Sequence, residues 1–294
     1  MIYQITKDKI EALHKQYTEL SKGNEILLKE IAIAEISEMV YNSNAIENST
    51  LTLEDTEKIL AGDELHGTVN VREVFEAKNL AKITETLLET PNQKLTVKLI
   101  LSLHRTLLTN IDDSIAGRFR SGREWVRVGN HLGANPLFVN NLICELVDAY
   151  NNSKEQYFLD RIAHFHAEFE TIHPFCDGNG RMGRVLINLQ LSNLGLPPII
   201  IQNKSKHKEY YPLFSTYPVT MKFDGFTELF AILLQEALHK RIAMLTAKRI
   251  IPLSRWAEKN NIKSTIAANK AKRQTIPAFR LREKWVIDED YLPI

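Results

Sequence analysis

Cysteine is nearly missing from this chain: Cys144 and Cys176 are the only two in 294 residues. A disulfide framework is therefore not expected, and a reducing compartment fits the composition better. Long apolar runs are missing as well, since none approaches the ~20 residues a bilayer-spanning helix needs. The opening segment MIYQITKDKIEALHKQYTEL carries charges throughout and lacks the apolar core of a secretion signal. Neither charge is in excess, with 37 Lys and Arg against 36 Asp and Glu. That excludes a global acidic or basic strategy toward partners, though not a local one. Internal repeats and low-complexity segments are absent. So is strand–helix alternation, which removes a doubly wound α/β fold from consideration. What is present, 44% hydrophobic and 25% charged residues, is ordinary globular composition. The expectation is a cytoplasmic protein with no membrane partner, long enough for one large domain or two smaller ones.

Helical spacing dominates. Residues 8–40 read as helix interrupted at Gly23, and the polar stretch Tyr41 to Thr50 reads as a helix end or loop. Thr52 and Asp55 match a helix start signal, although Asp is a shorter partner than the usual Glu, with Gly62 as the stop. Residues 70–90, 94–109, 141–151 and 158–172 have helical spacing. In the last of these Ile162, Phe165, Phe169 and Ile172 form one apolar stripe. Between Ile115 and Asn141 five Gly and Pro residues punctuate a segment in which Trp125 to Val128 alternates like a short strand. Helices are also expected from Met182 to Leu194 and from Phe226 to Lys248. Beyond Pro252 two short helices, Arg255 to Ile262 and Ser264 to Gln274, precede a hairpin over 277–287. The span 240–284 holds thirteen Lys and Arg against Glu258 and Glu283 only, so the near-neutral total hides a basic end.

Between two of these helices lies His173-Pro174-Phe175-Cys176-Asp177-Gly178-Asn179-Gly180-Arg181, with Arg184 close behind. Taken alone, a Gly-Asn-Gly turn is either a plain helix connection or an anion cradle. In the second case flexible glycines and the N–H groups of the next helix face a phosphate. Arg181 and Arg184, three apart, share a helix face and suit phosphate oxygens. No Gly-Lys-Ser/Thr follows, so this is not a Walker A loop. Asp177 is typed either as a turn residue or as the single carboxylate of a nucleotide-borne Mg²⁺. His173 is either a cation at a helix end or a base for an incoming hydroxyl. Base, carboxylate, anion turn and paired arginines within twelve residues point to phosphoryl or nucleotidyl transfer to a hydroxyl.

The run from His173 to Arg184 resembles, at every fixed position, the HPFx(D/E)GNGRxxR signature of Fic-domain proteins. The resemblance extends from about Tyr41 to about Leu238 and includes Leu103-His104-Arg105, Gly117-Arg118-Phe119-Arg120 and Phe169-Glu170-Thr171-Ile172. It implies an all-α, Fic-type helical domain with a short β-hairpin flap, which transfers AMP from ATP to a Ser, Thr or Tyr hydroxyl of a protein. By the same resemblance His173 is the general base and Asp177 holds Mg²⁺. Gly178, Asn179, Gly180, Met182 and Gly183 belong to the nucleotide turn, Arg181 and Arg184 bind the β- and γ-phosphates, and Phe175 fixes the loop in the core. Doc-type phosphorylating relatives carry Lys where this chain has Gly180, which favours AMP transfer here. Arg127 to Phe138 falls where the family has the flap that docks the target's backbone. Tyr210-Tyr211 resembles the paired tyrosines of the adenine pocket, with Tyr211 the nucleotide-binding member. Tyr217-Pro218 stands where an Asn is often found.

Ser43 to Asn48 resembles the family's (S/T)xxxE(G/N) inhibitory motif. This implies that Ser43 and Glu47 act as a brake, with Glu47 pairing to Arg184 and leaving ATP misoriented. Some relatives with this glutamate also remove AMP. The C-terminal part looks like a small winged-helix (α+β) module, for which DNA binding and a solvated packing appendage both stand. The divisions expected are 1–90 with the inhibitory helix, 91–249 as catalytic core and 250–294 as C-terminal domain. A DNA-binding regulator that senses nucleotide without turnover is the competing function. A homodimer is compatible with the sequence, which is silent on it.

Overall fold

A computed structural model describes residues 2–65, 68–128 and 131–292. The helices are α1 (Gln4–Ser21), α2 (Glu25–Ala34), α3 (Ile36–Ile46), α4 (Leu53–Ala61), α5 (Val71–Glu89), α6 (Val97–Leu108), α7 (Val139–Asn152), α8 (Phe158–Ile172), α9 (Asn179–Ser192), α10 (Tyr211–Thr220), α11 (Asp224–Thr246), α12 (Leu253–Lys259) and α13 (Ser264–Lys272). A π-helical turn, Lys206–Tyr210, leads into α10. The strands are β1 (Arg127–Val128), β2 (His131–Leu132), β3 (Ile250–Pro252), β4 (Phe279–Leu281) and β5 (Lys284–Asp288). The described residues are thus mostly helical, with two small antiparallel sheets, as the sequence predicts. None of their helices is long and apolar enough to cross a membrane. Both cysteines are free.

Contacts divide the chain into two compact units. The larger comprises Ala32–Leu194 and Ile200–Thr227; the smaller comprises Met1–Ile31, Gly195–Ile199 and Glu228–Ile294. These units join distant segments of chain and so cut across the linear division at 90/91 and 249/250.

In the larger unit, α8 and α9 pack on each other, and α3, α5, α6 and α7 surround them. The stripe of α8 is buried as its spacing requires: Ile162, Phe165, Phe169 and Ile172 are all in the interior. The last three meet Leu80, Ile83, Leu103, Leu107, Ile143, Met182 and Leu186 in one core. Each such side chain contributes about 1.5–3 kcal/mol on burial. The ends are set by local chemistry. Thr52 and Asp55 form a complete capping box, and Gly62 closes α4 in the left-handed region. Asn70 caps α5 and Thr96 caps α6. The latter moves the start of α6 to Val97 from the expected Lys94.

Of the two readings of the stretch from Tyr41, the helix end holds: α3 continues through Ile46 and stops there. Its low helix propensity is offset because Asn42 is buried with partners: its amide donates to Glu38 O one turn back at 2.9 Å, and its Oδ1 accepts from the distant Asn203 N at 2.9 Å. Gly180 does not share a positive-φ turn with its neighbours. Only Gly178 is left-handed (φ 78°), and α9 already begins at Asn179.

In the smaller unit, β5 lies between β3 and β4, all antiparallel. The hairpin expected over 277–287 is β4–β5, and β3 joins it from before the two short helices. Trp256, Ala257, Ala267, Ala271, Ile276 and Ile287 form its core. Glu236 accepts from Arg280 N at 3.0 Å and Nε at 2.9 Å, and the Arg280 guanidinium lies 4.7 Å from the Trp285 ring centre.

Candidate active site

Helix α8 ends where Pro174 forbids its continuation. His173 takes a left-handed conformation (φ 52°), uncommon for a non-glycine residue, and its N–H still reaches Phe169 O at 2.9 Å. Such strain persists only where the surroundings over-determine it. Here Arg120, 1% exposed, donates to His173 O at 2.7 Å, Ile172 O at 2.9 Å and Ala134 O at 2.5 Å. Its own N–H donates to Pro174 O at 2.9 Å. Arg120→Ala is expected to lower the unfolding free energy by about 3 kcal/mol, since several buried carbonyls lose their donor at about 1–3 kcal/mol each. Chemical denaturation would measure this; a loss under about 1 kcal/mol would show that the loop does not depend on the guanidinium.

His173 Nδ1 lies 3.2 Å from Glu170 O, an oxygen that only accepts. Nδ1 therefore carries the ring proton and Nε2 keeps its lone pair. Burial pushes the imidazole down to about 4, ahead of the opposing contact with Glu170 O and the nearby charge of Glu47. The ring is thus neutral at physiological pH, the form a base requires. The Glu170 side chain is buried beside it, with Oε2 3.7 Å from Nδ1. Desolvation raises that carboxyl to about 8.

Below His173 the loop closes on itself. Asn179 Oδ1 accepts from Phe175 N and its amide donates to Phe175 O, both at 2.8 Å. The Phe175 ring stacks on His104, with centres 3.6 Å apart and planes 6° from parallel. Gly117 N donates to His104 Nδ1 at 3.0 Å, so Nε2 bears the hydrogen and donates to Asp177 O at 3.0 Å. Burial holds this histidine down at about 4, hence neutral. The side chain of Asn179 is thus a clamp on the loop. What faces the cradle is backbone: Asn179, Gly180 and Arg181 supply first-turn N–H groups, which an α-helix leaves without internal partners. Met182 points into the core, fully buried.

Asp177 carries its charge. Burial opposes ionisation, but Arg181, Arg72 and the Gly178 N–H outweigh it and hold the carboxyl below its usual range. Gly178 N donates to Oδ1 at 2.5 Å and Arg181 Nη2 lies 3.2 Å from the same oxygen. Arg181 Nη1 is 3.0 Å from Glu76 Oε1. Arg181, expected on phosphate, is 3% exposed and is held between two carboxylates here. Among the described residues no group of three or more His, Cys, Asp or Glu side chains gathers to hold a metal. One ionised carboxylate next to the N-terminus of α9 nevertheless suits a Mg²⁺ that arrives on a nucleotide, because the phosphates provide further ligands.

Glu47 and Arg184, 137 positions apart, meet as expected. Arg184 Nη2 donates to Glu47 Oε1 and to Ser43 O, both at 2.8 Å, and Nε donates to Ser43 Oγ at 2.9 Å. A Cβ built on Gly180 would overlap the Glu47 carboxylate and stand 3.2 Å from Arg184 Nη1, so glycine at 180 is what lets Glu47 lie there. Likewise a Cβ on Gly183 would overlap the Glu170 carboxylate and crowd His166, so this glycine permits the close approach of α8 and α9. The end of α3 is fastened by two residues. Lys206 Nζ donates to Ala45 O at 2.8 Å and Ile46 O at 3.0 Å, and the Tyr211 hydroxyl donates to Ile46 O at 2.5 Å. Tyr211, expected at the adenine, thus has its hydroxyl on the end of α3, with its ring half-buried. Lys206, Arg72 and Glu76 are contributors that no motif marks. His104 and Arg120 lie within segments of the resemblance but carry no role there.

The segment Arg127–Phe138 is partly described. Arg127 pairs with Leu132 and Val128 with His131 in a two-residue ladder. Gly129 and Asn130 lie outside the described residues. Gly133 N donates to Val126 O at 3.0 Å and Ala134 N to Ile172 O at 3.1 Å, which ties the hairpin to the end of α8. Trp125, Leu132, Leu137 and Phe138 leave about half or more of their surface in solvent.

Residues 94–191 match the Fic/DOC family. Two curated relatives, "Protein adenylyltransferase Fic" of Aedes aegypti and "Protein adenylyltransferase fic-1" of Caenorhabditis elegans, are each 33% identical over 58% of this chain. The aligned region is 35% of the first and 34% of the second, so the chain spans about a third of the length of the relatives it matches. Among solved structures, a Fic domain containing signaling protein from Bacteroides thetaiotaomicron superposes with TM-score 0.71 at 25% identity, over 81% of this chain and 96% of the other. Residues 134–508 of C. elegans Fic-1 give TM-score 0.69 at 26% identity, over 82% and 72%. A Fic family protein from Desulfovibrio desulfuricans, 21% identical, shares the fold over the whole chain with TM-score 0.68. Motif, helical arrangement and matched residues coincide at the α8–α9 turn, which lies within the residues that match the Fic/DOC family.

Proposed function

We propose that this chain transfers AMP from ATP to a Ser, Thr or Tyr hydroxyl of a target protein, and that Glu47 holds the site off by default. The observation that carries the reading is the neutral His173, its Nε2 lone pair available, at the mouth of a turn whose backbone N–H groups face outward from α9. The hydroxyl oxygen attacks the α-phosphorus, the bond to the bridging oxygen of the β-phosphate breaks, and pyrophosphate leaves with that electron pair. His173 Nε2 takes the hydroxyl proton. No covalent enzyme intermediate is needed, so positioning and charge stabilisation supply most of the rate. Asp177 would hold Mg²⁺, which when bound offsets the phosphate charge. The first turn of α9 receives phosphate oxygens, and Arg184 does so once Glu47 releases it. Met182 and Gly183 serve the nucleotide through packing: one anchors α9 in the core and the other lets it close on α8.

The target is proposed to dock on the hairpin Arg127–Phe138, where added-strand pairing makes few demands on side chains and the exposed Trp125, Leu132, Leu137 and Phe138 add apolar contact. Incubation with ATP labelled on the α-phosphate, followed by mass spectrometry of the labelled protein, tests the reading. A hydroxyl residue heavier by one AMP is expected; transfer of the γ-phosphate, or of nothing, would overturn it.

A second activity, nucleic-acid binding through 250–294, is favoured by one observation: Lys263, Lys272, Arg273, Arg282 and Lys284 are all exposed. Electrophoretic shifts of duplex DNA are expected to weaken steeply with salt and to disappear when these five are changed to Gln. Binding that survives those changes, or no binding at low salt, refutes this second reading.

A further inference from the structure

Arg72 belongs to no motif and lies 105 positions before Asp177, yet its Nη2 donates to Asp177 Oδ2. Its Nε donates to Glu76 Oε1 at 3.0 Å, the oxygen that is also 3.0 Å from Arg181 Nη1. Arg181 Nη2 returns to Asp177 Oδ1 at 3.2 Å, so two arginines and two carboxylates close a ring of alternating charge. The two oxygens of Asp177 are held differently. Oδ1 receives the Gly178 N–H and the buried Arg181, both fixed by the fold. Oδ2 is covered, among the described residues, by Arg72, whose side chain is 49% exposed. A cation arriving from solvent on a nucleotide therefore has one oxygen within reach, the one beneath a displaceable guanidinium.

We propose that Arg72 is a placeholder for the divalent cation: it neutralises Asp177 while the site is empty and must leave Oδ2 when a metal–nucleotide complex enters. The inference rests on the AMP-transfer reading of the site and adds to it the residue that sets its cation requirement. An uncovered carboxylate would repel an incoming polyphosphate; a guanidinium prevents this without closing the site, because it keeps its second anchor on Glu76 after displacement. Since the Arg72 side chain is half exposed, its release costs metal binding a modest factor, about threefold to fivefold.

The test is calorimetric and needs no turnover. In a Glu47→Gly background, affinities are measured for the Mn²⁺ complex of adenylyl-imidodiphosphate and for the same analogue in EDTA. Arg72→Ala is expected to tighten the Mn²⁺ complex about threefold to fivefold without tightening the metal-free analogue. Arg72→Lys should stay near the parent, and Asp177→Asn should erase the difference between the two ligands. If Asp177→Asn does so but Arg72→Ala leaves the Mn²⁺ complex unchanged or weaker, the placeholder role is wrong while the site stands. If no variant shows a metal effect that depends on Asp177, the nucleotide-site reading falls, and this inference with it.

Discussion

His173→Ala is expected to cut AMP transfer by about 10²–10⁴-fold, the usual contribution of a positioned base. The lower part of that range is favoured here. Burial holds the imidazole down to about 4, and a weaker base has less driving force for taking the hydroxyl proton. The depressed value also fixes the sign of the pH dependence. A base must be deprotonated to act, and this one is deprotonated at every pH above about 4. The acid limb of kcat/KM assigned to His173 should therefore lie near pH 4–5, well below the ordinary imidazole value of about 6.5. Nucleotide binding should survive the substitution, because the α9 N–H groups and Asp177 remain. Labelling with α-phosphate-labelled ATP, alongside binding of a non-hydrolysable analogue, separates the two effects. Transfer within threefold of wild type would remove His173 from the chemistry.

Glu47→Gly is expected to raise AMP transfer by about tenfold or more, the equivalent of about 1.4 kcal/mol. The Glu47 side chain is 42% exposed and that of Arg184 only 8%, so the ion pair by itself has modest strength. Two further features make it effective. Lys206 and Tyr211 hold the carbonyls at the end of α3, so Glu47 is presented to Arg184 with little freedom to leave. Its carboxylate also lies against Gly180, over the first turn of α9, where a phosphate would otherwise rest. The substitution removes a competing anion and frees a guanidinium together. Glu47→Ala should behave alike, which would assign the effect to the carboxylate rather than to backbone freedom at position 47. Equal labelling by wild type and Glu47→Gly would refute the brake.

What the sequence determined by itself was everything governed by contacts a few residues apart. The stripe Ile162, Phe165, Phe169, Ile172 dictates which face of α8 is buried. Thr52 with Asp55 sets the start of α4, and Gly62 sets its end. The crowding of His173, Asp177, Gly178, Arg181 and Arg184 into twelve residues places the candidate site at one helix–helix turn. Tertiary structure alone decided which distant side chains complete that site: Arg72 and Glu76 arrive from α5 to complete the charges around Asp177 and Arg181. The helix carrying Glu47 runs to Ile46 in spite of its Asn and Ser, because Asn42 and Lys206 find partners across the fold. The contacts of Arg72 with Asp177, Glu76 with Arg181, Asn42 with Asn203 and Lys206 with Ala45 each span more than a hundred positions, and no local spacing encodes them. They form only once the packing of α3, α5, α8 and α9 has already met the entropy of closing such long loops.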